Sequence, residues 1–320
     1  MLNLEHHPLP VVNHLRRLSY PALVLGYLVT LSVFSLYEGT ILSPASIFFL
    51  LATVLLGVLG LGKRWARPWL ALAMAGLSFQ VISGPIDAIG DSGGALSLLD
   101  LDKYVWGFNL TGWTQTTFSS VPVTVASSLV YVAFIPFILV TSYAIWRYRR
   151  GNFAIYVAAM ILTSYGALLT FVLVPTAPPW FSGAASNLFR SSGLGADLVY
   201  LAPLSSLGVP DYFASFPSLH AAYTITCCYF LYKVDIKLGL FGTLMLGATL
   251  FSTLYLGQHY AVDLVGGAVY SLVPCLVLER LGPRGGQKRQ STVTGPRDEG
   301  GVTEGNPTFA NGQAGEWGSK

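Results

Sequence analysis

The sequence predicts an all-α, polytopic membrane bundle of about eight transmembrane helices. Three observations lead there. Hydrophobic residues make up 53% of the 320-residue chain and charged residues only 10%, against roughly 25% charged in a soluble domain. Apolar runs of about 20 residues recur, each long enough to cross a hydrocarbon core of roughly 30 Å. These runs do not alternate apolar with polar, as the segments of about ten residues in a spanning β-barrel would.

Spans are expected at 20–42, 44–62, 69–89, 121–146, 152–174, 217–233, 238–257 and 259–279. The first follows Arg16 and Arg17. It is too long for a signal peptide and shows no small-residue cleavage site, so it is read as a retained span. With the N-terminus in the cytoplasm, only Lys103 and Arg190 of the 18 basic residues fall outside the cytoplasmic segments. That segregation is what the positive-inside rule requires, and it puts both termini in the cytoplasm.

Two outer segments are not spans. Residues 97–120 mix aromatic with polar side chains, as an amphipathic segment lying in the interface would. They include the triplet Asn109-Leu110-Thr111, which fits a glycosylation sequon. Residues 175–215 form a long outer loop rich in Pro, Gly and Ser, a length that usually serves function. From Gly282 onward the chain is Gly-rich and polar, with too few apolar residues to fold alone. The expected division is therefore N-terminal membrane helices over 1–96, a core that carries the chemistry over 97–280, and a disordered cytoplasmic tail over 281–320.

The net charge of +3 is too small to suggest a nucleic-acid partner. Cys227, Cys228 and Cys275 fall inside apolar runs. They read as packing residues, not as a disulfide framework or a metal site.

Two polar stretches stand at the mouths of apolar runs, "FPSLHAAYT" (216–224) and "YLGQHYAVD" (255–263). The expected topology puts His220, His259 and the segment "VPTAPPW" (174–180) at one outer face. Pro217 suits the first turn of a helix. Ser218 and the free N–H groups of that turn can bind an anion, with His220 over the same spot. The plainer reading is an interfacial histidine beside an ordinary helix start. His259 and Asp263 are four apart, so on a helix they share a face. The Asp can accept the imidazole Nδ1–H, which leaves Nε2 as nucleophile or base. The plainer reading there is a buried polar pair that helps helices pack. Ionisable groups inside a span are costly and usually functional.

Together these motifs resemble the type 2 phosphatidic acid phosphatase superfamily. More narrowly, "PTAPPW", "FPSLH" and "HYAVDLVGG" look like the fungal inositol phosphorylceramide synthase branch and its prokaryotic relatives, over roughly residues 100–280. The resemblance implies that His259 attacks phosphorus and forms a phosphohistidine. Asp263 would orient it, and His220 would protonate the leaving oxygen and then serve the acceptor as base. It implies a lipid phosphate substrate in the bilayer, a lipid hydroxyl or water as acceptor, and no metal or other cofactor.

The sequence departs from the superfamily pattern in two places. The usual first block is KxxxxxxRP. Here "KRWARP" (63–68) is too short in spacing and lies on the wrong side, and "PTAPPW" takes its place. The usual third block begins with Ser-Arg, whereas Ser252 and Thr253 stand here, so the phosphate-clamping arginine is missing. Arg190 is the candidate replacement; the alternative is a loop salt bridge with Asp197 or Asp211. Lys103 is a weaker candidate, suited to lipid headgroups. Gln258, Tyr255 and Tyr260 flank His259 and are candidate pocket residues. His6, His7 and His14 are expected on the cytoplasmic side. Gly266 and Gly267 would permit close helix packing, within or between chains.

The expected function is an integral membrane lipid phosphotransferase, moving an inositol-phosphate-type head group to a lipid hydroxyl. The alternative is a lipid phosphate or diphosphate phosphatase with water as acceptor. A third reading is a transporter or non-catalytic membrane protein, which would spread the ionisable residues along a path between both sides.

Overall fold

A computed structural model describes residues 20–37, 44–59, 63, 65–89, 95–191 and 213–281. Each of the eight expected spans coincides with a helix. These are α1 (Tyr20–Tyr37), α2 (Pro44–Leu59), α3 (Ala66–Ile89), α6 (Val121–Tyr148), α7 (Arg150–Leu173), α9 (Leu219–Val234), α10 (Ile236–Tyr255) and α11 (Ala261–Leu281). Between them lie β1 (Leu96–Ser97), α4 (Leu99–Trp106), α5 (Leu110–Phe118), β2 (Thr176–Ala177) and the short α8 (Leu188–Ser191). Among the described residues four helices are long and apolar enough to cross a membrane: α6, α7, α10 and α11 as far as Arg280. The protein is a mostly helical, multi-pass membrane protein. The expected tail, His6, His7, His14, Asp197 and Asp211 lie outside the described residues.

Helix α9 is the centre of the bundle, packed against α6, α7, α10 and α11. Its 16 residues reach only about 24 Å at 1.5 Å per residue. Small and weakly polar side chains suit that place: Ala221, Ala222, Thr224, Thr226, Cys227 and Cys228 are all buried. The three cysteines are free and buried, as packing residues. Tyr156, Phe230, Phe153 and Cys275 form the larger core cluster around its C-terminal half. A smaller cluster of Ile86, Leu168, Phe171, Ala177 and Phe213 underlies the other end.

Many of the described polar side chains inside the bundle are bonded, as a medium without water favours, while Ser128 Oγ is buried without a hydrogen-bond partner. Thr170 Oγ1 pairs with Tyr270 Oη at 2.6 Å, and Ser142 Oγ with Tyr156 Oη at 2.9 Å. Gly267 shows how closely α9 and α11 approach. A Cβ there would lie 2.4 Å from the Ser218 carbonyl oxygen, so a larger residue would push the start of α9 away. A Cβ on Gly266 would meet the Phe216 ring at 2.5 Å. Both glycines thus serve packing within the chain.

The end of the bundle bearing the two histidines is tied by a small parallel sheet. Strand β1 pairs with β2, Leu96 opposite Thr176 and Ser97 opposite Ala177. Thr176 also bonds the segment before α9: its N–H donates to Phe213 O at 2.9 Å, and its carbonyl accepts from Ser215 N at 3.2 Å. Its hydroxyl accepts from Phe216 N at 2.7 Å. "PTAPPW" therefore acts as a strap across this end, joining three stretches distant in sequence.

Candidate active site

His259 belongs to no helix, although the expected eighth span begins on it. The chain leaves α10 through Gly257, whose φ of 75° is left-handed, a conformation glycine adopts without penalty. A Cβ there would also lie 2.4 Å from the Ser186 carbonyl oxygen. The N–H groups of Gln258 and His259 return to the Thr253 carbonyl at 3.0 and 3.3 Å. Helix α11 starts two residues later, at Ala261. Thr253, which stands where the superfamily pattern has arginine, thus anchors the histidine loop through its backbone.

Asp263 sits in the first turn of α11 and is completely buried. Its Oδ2 accepts from Tyr260 N at 2.9 Å and from Ser215 Oγ at 2.6 Å. The same oxygen faces His259 Nδ1 at 3.3 Å. So the pair meets across a helix start, not along one helical face. With Nδ1–H donated to Asp263, Nε2 carries the free lone pair. Asp263 Oδ1 is buried with no hydrogen-bond partner.

His220 is the second residue of α9. Its ring centroid lies 5.6 Å from that of His259, at 62°. Tyr131 of α6 stacks on it at 4.5 Å and 24°, and Phe134 lies at 4.5 Å on a tilt. Phe189 of α8 packs on Tyr131 at 5.1 Å. The imidazole is thus held between aromatic faces and turned toward a nearly buried His259, which is 6% exposed.

The other expected site residues take different places. Pro217 precedes the first turn of α9, and Ser218 is the N-cap, accepting from Ala221 N at 3.3 Å while its own N–H bonds the Asp263 carbonyl. Ser218 is fully buried and joins α9 to α11. Gln258 Nε2 donates to Asn187 Oδ1 and to Leu256 O, both at 3.1 Å, so it braces the histidine loop against the outer loop. Arg190 is exposed on α8, next to Phe189. Lys103 is exposed on α4. Tyr255 and Tyr260 are fully buried and serve as ties: Tyr255 Oη meets Thr124 Oγ1 at 2.7 Å, and Tyr260 Oη meets Ser182 Oγ at 2.5 Å. Asn109 caps α5, accepting from Gly112 N at 3.0 Å.

Sequence reasoning did not find Ser215, Asp102, Thr111 or Gln115. Asp102 is buried on α4, and its Oδ1 accepts from Val262 N at 3.1 Å, capping α11 from outside. Burial holds its carboxyl above the usual range. The Val262 N–H opposes that rise, and the charge of Asp263 adds to it. Thr111 Oγ1 donates to His259 O at 3.1 Å, and Gln115 Nε2 to Tyr255 O at 3.0 Å. Among the described residues no group of three or more His, Cys, Asp and Glu side chains stands together as a metal site would require.

Comparison with known families decides the class of this arrangement. A family model described as the PAP2 superfamily matches residues 96–277, from β1 into α11. The chain belongs to the PAP2 superfamily. This makes it an enzyme of the superfamily's phosphatase and phosphotransferase class, and the reading as a transporter or non-catalytic protein falls. The match contains both histidines, Asp263 and the strap at Thr176, and leaves α1–α3 outside it. No curated protein and no solved structure matches the chain. Superfamily membership implies lipid phosphate substrates; the branch within the PAP2 superfamily is not resolved by this match.

Proposed function

We propose that this PAP2 enzyme is a lipid phosphotransferase working through a phosphohistidine on His259. The observation that carries the reading is the facing pair of imidazoles, 5.6 Å apart, with Asp263 behind His259 at Nδ1. In the first step His259 Nε2 forms a bond to phosphorus as the bond from phosphorus to the leaving oxygen breaks. His220, which takes up a proton when the anionic phosphate ester binds beside it, gives that proton to the leaving oxygen. In the second step the acceptor hydroxyl yields its proton to His220, and its oxygen bonds to phosphorus as the P–N bond breaks. Both histidines return to their starting state. Asp263 balances the charge that develops on the His259 ring.

The aromatic walls favour transfer to a lipid hydroxyl over hydrolysis. Tyr131 and Phe134 lay apolar surface on His220, Phe189 backs Tyr131, and His259 is almost closed to solvent. A phosphoenzyme shielded from water survives until a competing hydroxyl arrives. The motifs "PTAPPW", "FPSLH" and "HYAVDLVGG" support the inositol phosphorylceramide synthase-like branch, hence an inositol-phosphate-type head group. Arg190, one residue from the Phe189 ring, is the proposed partner for the phosphoryl oxygens, with Ser218 and Gln258 shaping the floor of the site.

The proposed orientation puts this end outside the cytoplasm. Lys63, Arg67, Arg147, Arg149, Arg150, Lys233, Lys237 and Arg280 lie at the opposite helix ends, in accord with the positive-inside rule. Residues 97–280 then form the catalytic core, with 1–96 as added membrane helices and 281–320 as a cytoplasmic tail.

The test compares wild type with His259→Ala in membranes given inositol phospholipid with ceramide or an isotope-labelled diacylglycerol as acceptor, and in a parallel set given lipid monophosphates. A new phosphorylated lipid, absent with the variant, is expected. Release of free phosphate from lipid monophosphates with no new phospholipid would replace the transferase reading with the phosphatase one.

A further inference from the structure

Helices α4 and α5 have two faces with different partners. The inner face holds the catalytic loop. Asp102 accepts from Val262 N at 3.1 Å, Thr111 donates to His259 O at 3.1 Å, and Gln115 donates to Tyr255 O at 3.0 Å. These bonds grip the loop before, at and after the histidine. Gln115 also exchanges two bonds with the backbone of Ser186, which ties in the outer loop.

The outer face is apolar and open. On α4, Leu101, Tyr104 and Val105 stand at i, i+3 and i+4, one face of the helix, and are 48%, 88% and 51% exposed. An edge-to-face file of rings follows: Phe108 on Trp113 at 6.0 Å, Trp113 on Phe118 at 6.1 Å, and Phe118 on Phe251 at 5.4 Å. Phe251 lies on α10, a helix of membrane length, and α6 begins at Val121, just after α5 ends. The open face thus adjoins the two membrane-length helices α6 and α10, which expose apolar side chains such as Val121, Leu129, Phe241 and Leu244.

We propose that α4 and α5 lie in the bilayer interface beside the active site, and that this seating keeps the His259 loop in order through Asp102, Thr111 and Gln115. The occupant is the lipid surface itself. Rings at headgroup depth and aliphatic side chains just below suit that boundary, whereas an apolar face this continuous is costly in water. The inference goes beyond the chemistry proposed above and depends on no choice of donor or acceptor.

The test uses the full chain in phospholipid nanodiscs and needs no turnover. A nitroxide is attached at Tyr104→Cys; the three native cysteines are buried. Relaxation by oxygen exceeding that by a water-soluble nickel chelate is expected. Relaxation mainly by the chelate would show the face in water, and shielding from both would show a protein partner such as a second copy. Either result overturns the proposal. Hydrogen exchange then tests the coupling. In the triple variant Leu101→Ser, Tyr104→Ser, Val105→Ser, amides of residues 257–262 should exchange on the order of tenfold faster. Those of residues 234–236, at the other end of the bundle, should not change. Unchanged exchange at 257–262 overturns the coupling. If both ends speed up, the single variant Tyr104→Ser decides by the same comparison, with about threefold expected at 257–262 alone.

Discussion

Ser215 Oγ donates at 2.6 Å to Asp263 Oδ2, the same oxygen that faces His259 Nδ1 at 3.3 Å. One carboxylate oxygen is therefore aimed at the histidine by a serine of the segment before α9 and by the backbone N–H of Tyr260. Charge-assisted bonds of this kind are worth about 1.5–3 kcal/mol. Ser215→Ala should lower kcat by about one to two orders of magnitude with little change in KM. Steady-state kinetics on a lipid phosphate in mixed micelles checks this. An unchanged kcat would show that Tyr260 N–H alone suffices to aim Asp263.

His259→Ala should abolish phosphoryl transfer, while Asp263→Asn should leave a remnant, slowed by about 10⁴-fold, because the imidazole loses its fixed tautomer and its counter-charge. Side-by-side turnover of the two variants measures the difference. Equal, modest losses would mean that the pair serves packing.

The aromatic walls of His220 make a graded series. Tyr131→Phe keeps the stacked ring and should retain most activity. Tyr131→Ala removes it and should lower kcat on the order of tenfold as His220 loses its fixed position. Initial rates with saturating substrate check this, and equal rates for Ala and Phe would remove stacking from the account.

Asp102 links pH to stability. Burial raises its folded-state pKa above the ordinary carboxylate value. The folded protein therefore holds this proton more tightly than the unfolded chain does. Its stabilising contribution is complete below the unfolded pKa and is lost as pH rises through the folded one. Asp102→Asn keeps an acceptor for Val262 N–H and removes the charge. Relative to wild type, its thermal stability should rise as pH climbs through and above the carboxylate range. Melting curves across that window measure it, and a constant difference would contradict the sign.

The glycines separate close packing from mere flexibility. Gly267→Ala would set a Cβ 2.4 Å from the Ser218 carbonyl and should lower both stability and activity, since the start of α9 carries His220. Gly247→Ala, on an open face of α10 with nothing within 4 Å, should be nearly neutral. Expression level and melting temperature of the two variants check the contrast.

Much of the bundle was legible because apolar runs have one physical meaning at membrane length. The eight expected segments all fall on helices, with ends differing by a few residues, and among the described residues four of those helices are long and apolar enough to cross a membrane. The histidines and Asp263 were legible because ionisable groups are rare in such a chain. The manner of their meeting was not: His259 stands outside α11 because Gly257 turns the chain and Tyr260 N–H bonds Asp263. The supports were illegible for another reason. Ser215 bonds a residue 48 positions away, Thr111 one 148 away, and Asp102 one 160 away. Polar side chains in loops and short helices carry no periodicity, so nothing local marks such partners. Asp102 in particular reads as one more polar residue of an interfacial helix, until α4 is seen to lie against the head of α11.

The most direct test of the account is to trap the enzyme during turnover with a lipid donor carrying radiophosphorus and to locate the label. The account predicts an acid-labile, base-stable phosphate on the peptide that contains His259, absent from His259→Ala. Label on another residue, or full turnover by His259→Ala, would contradict it.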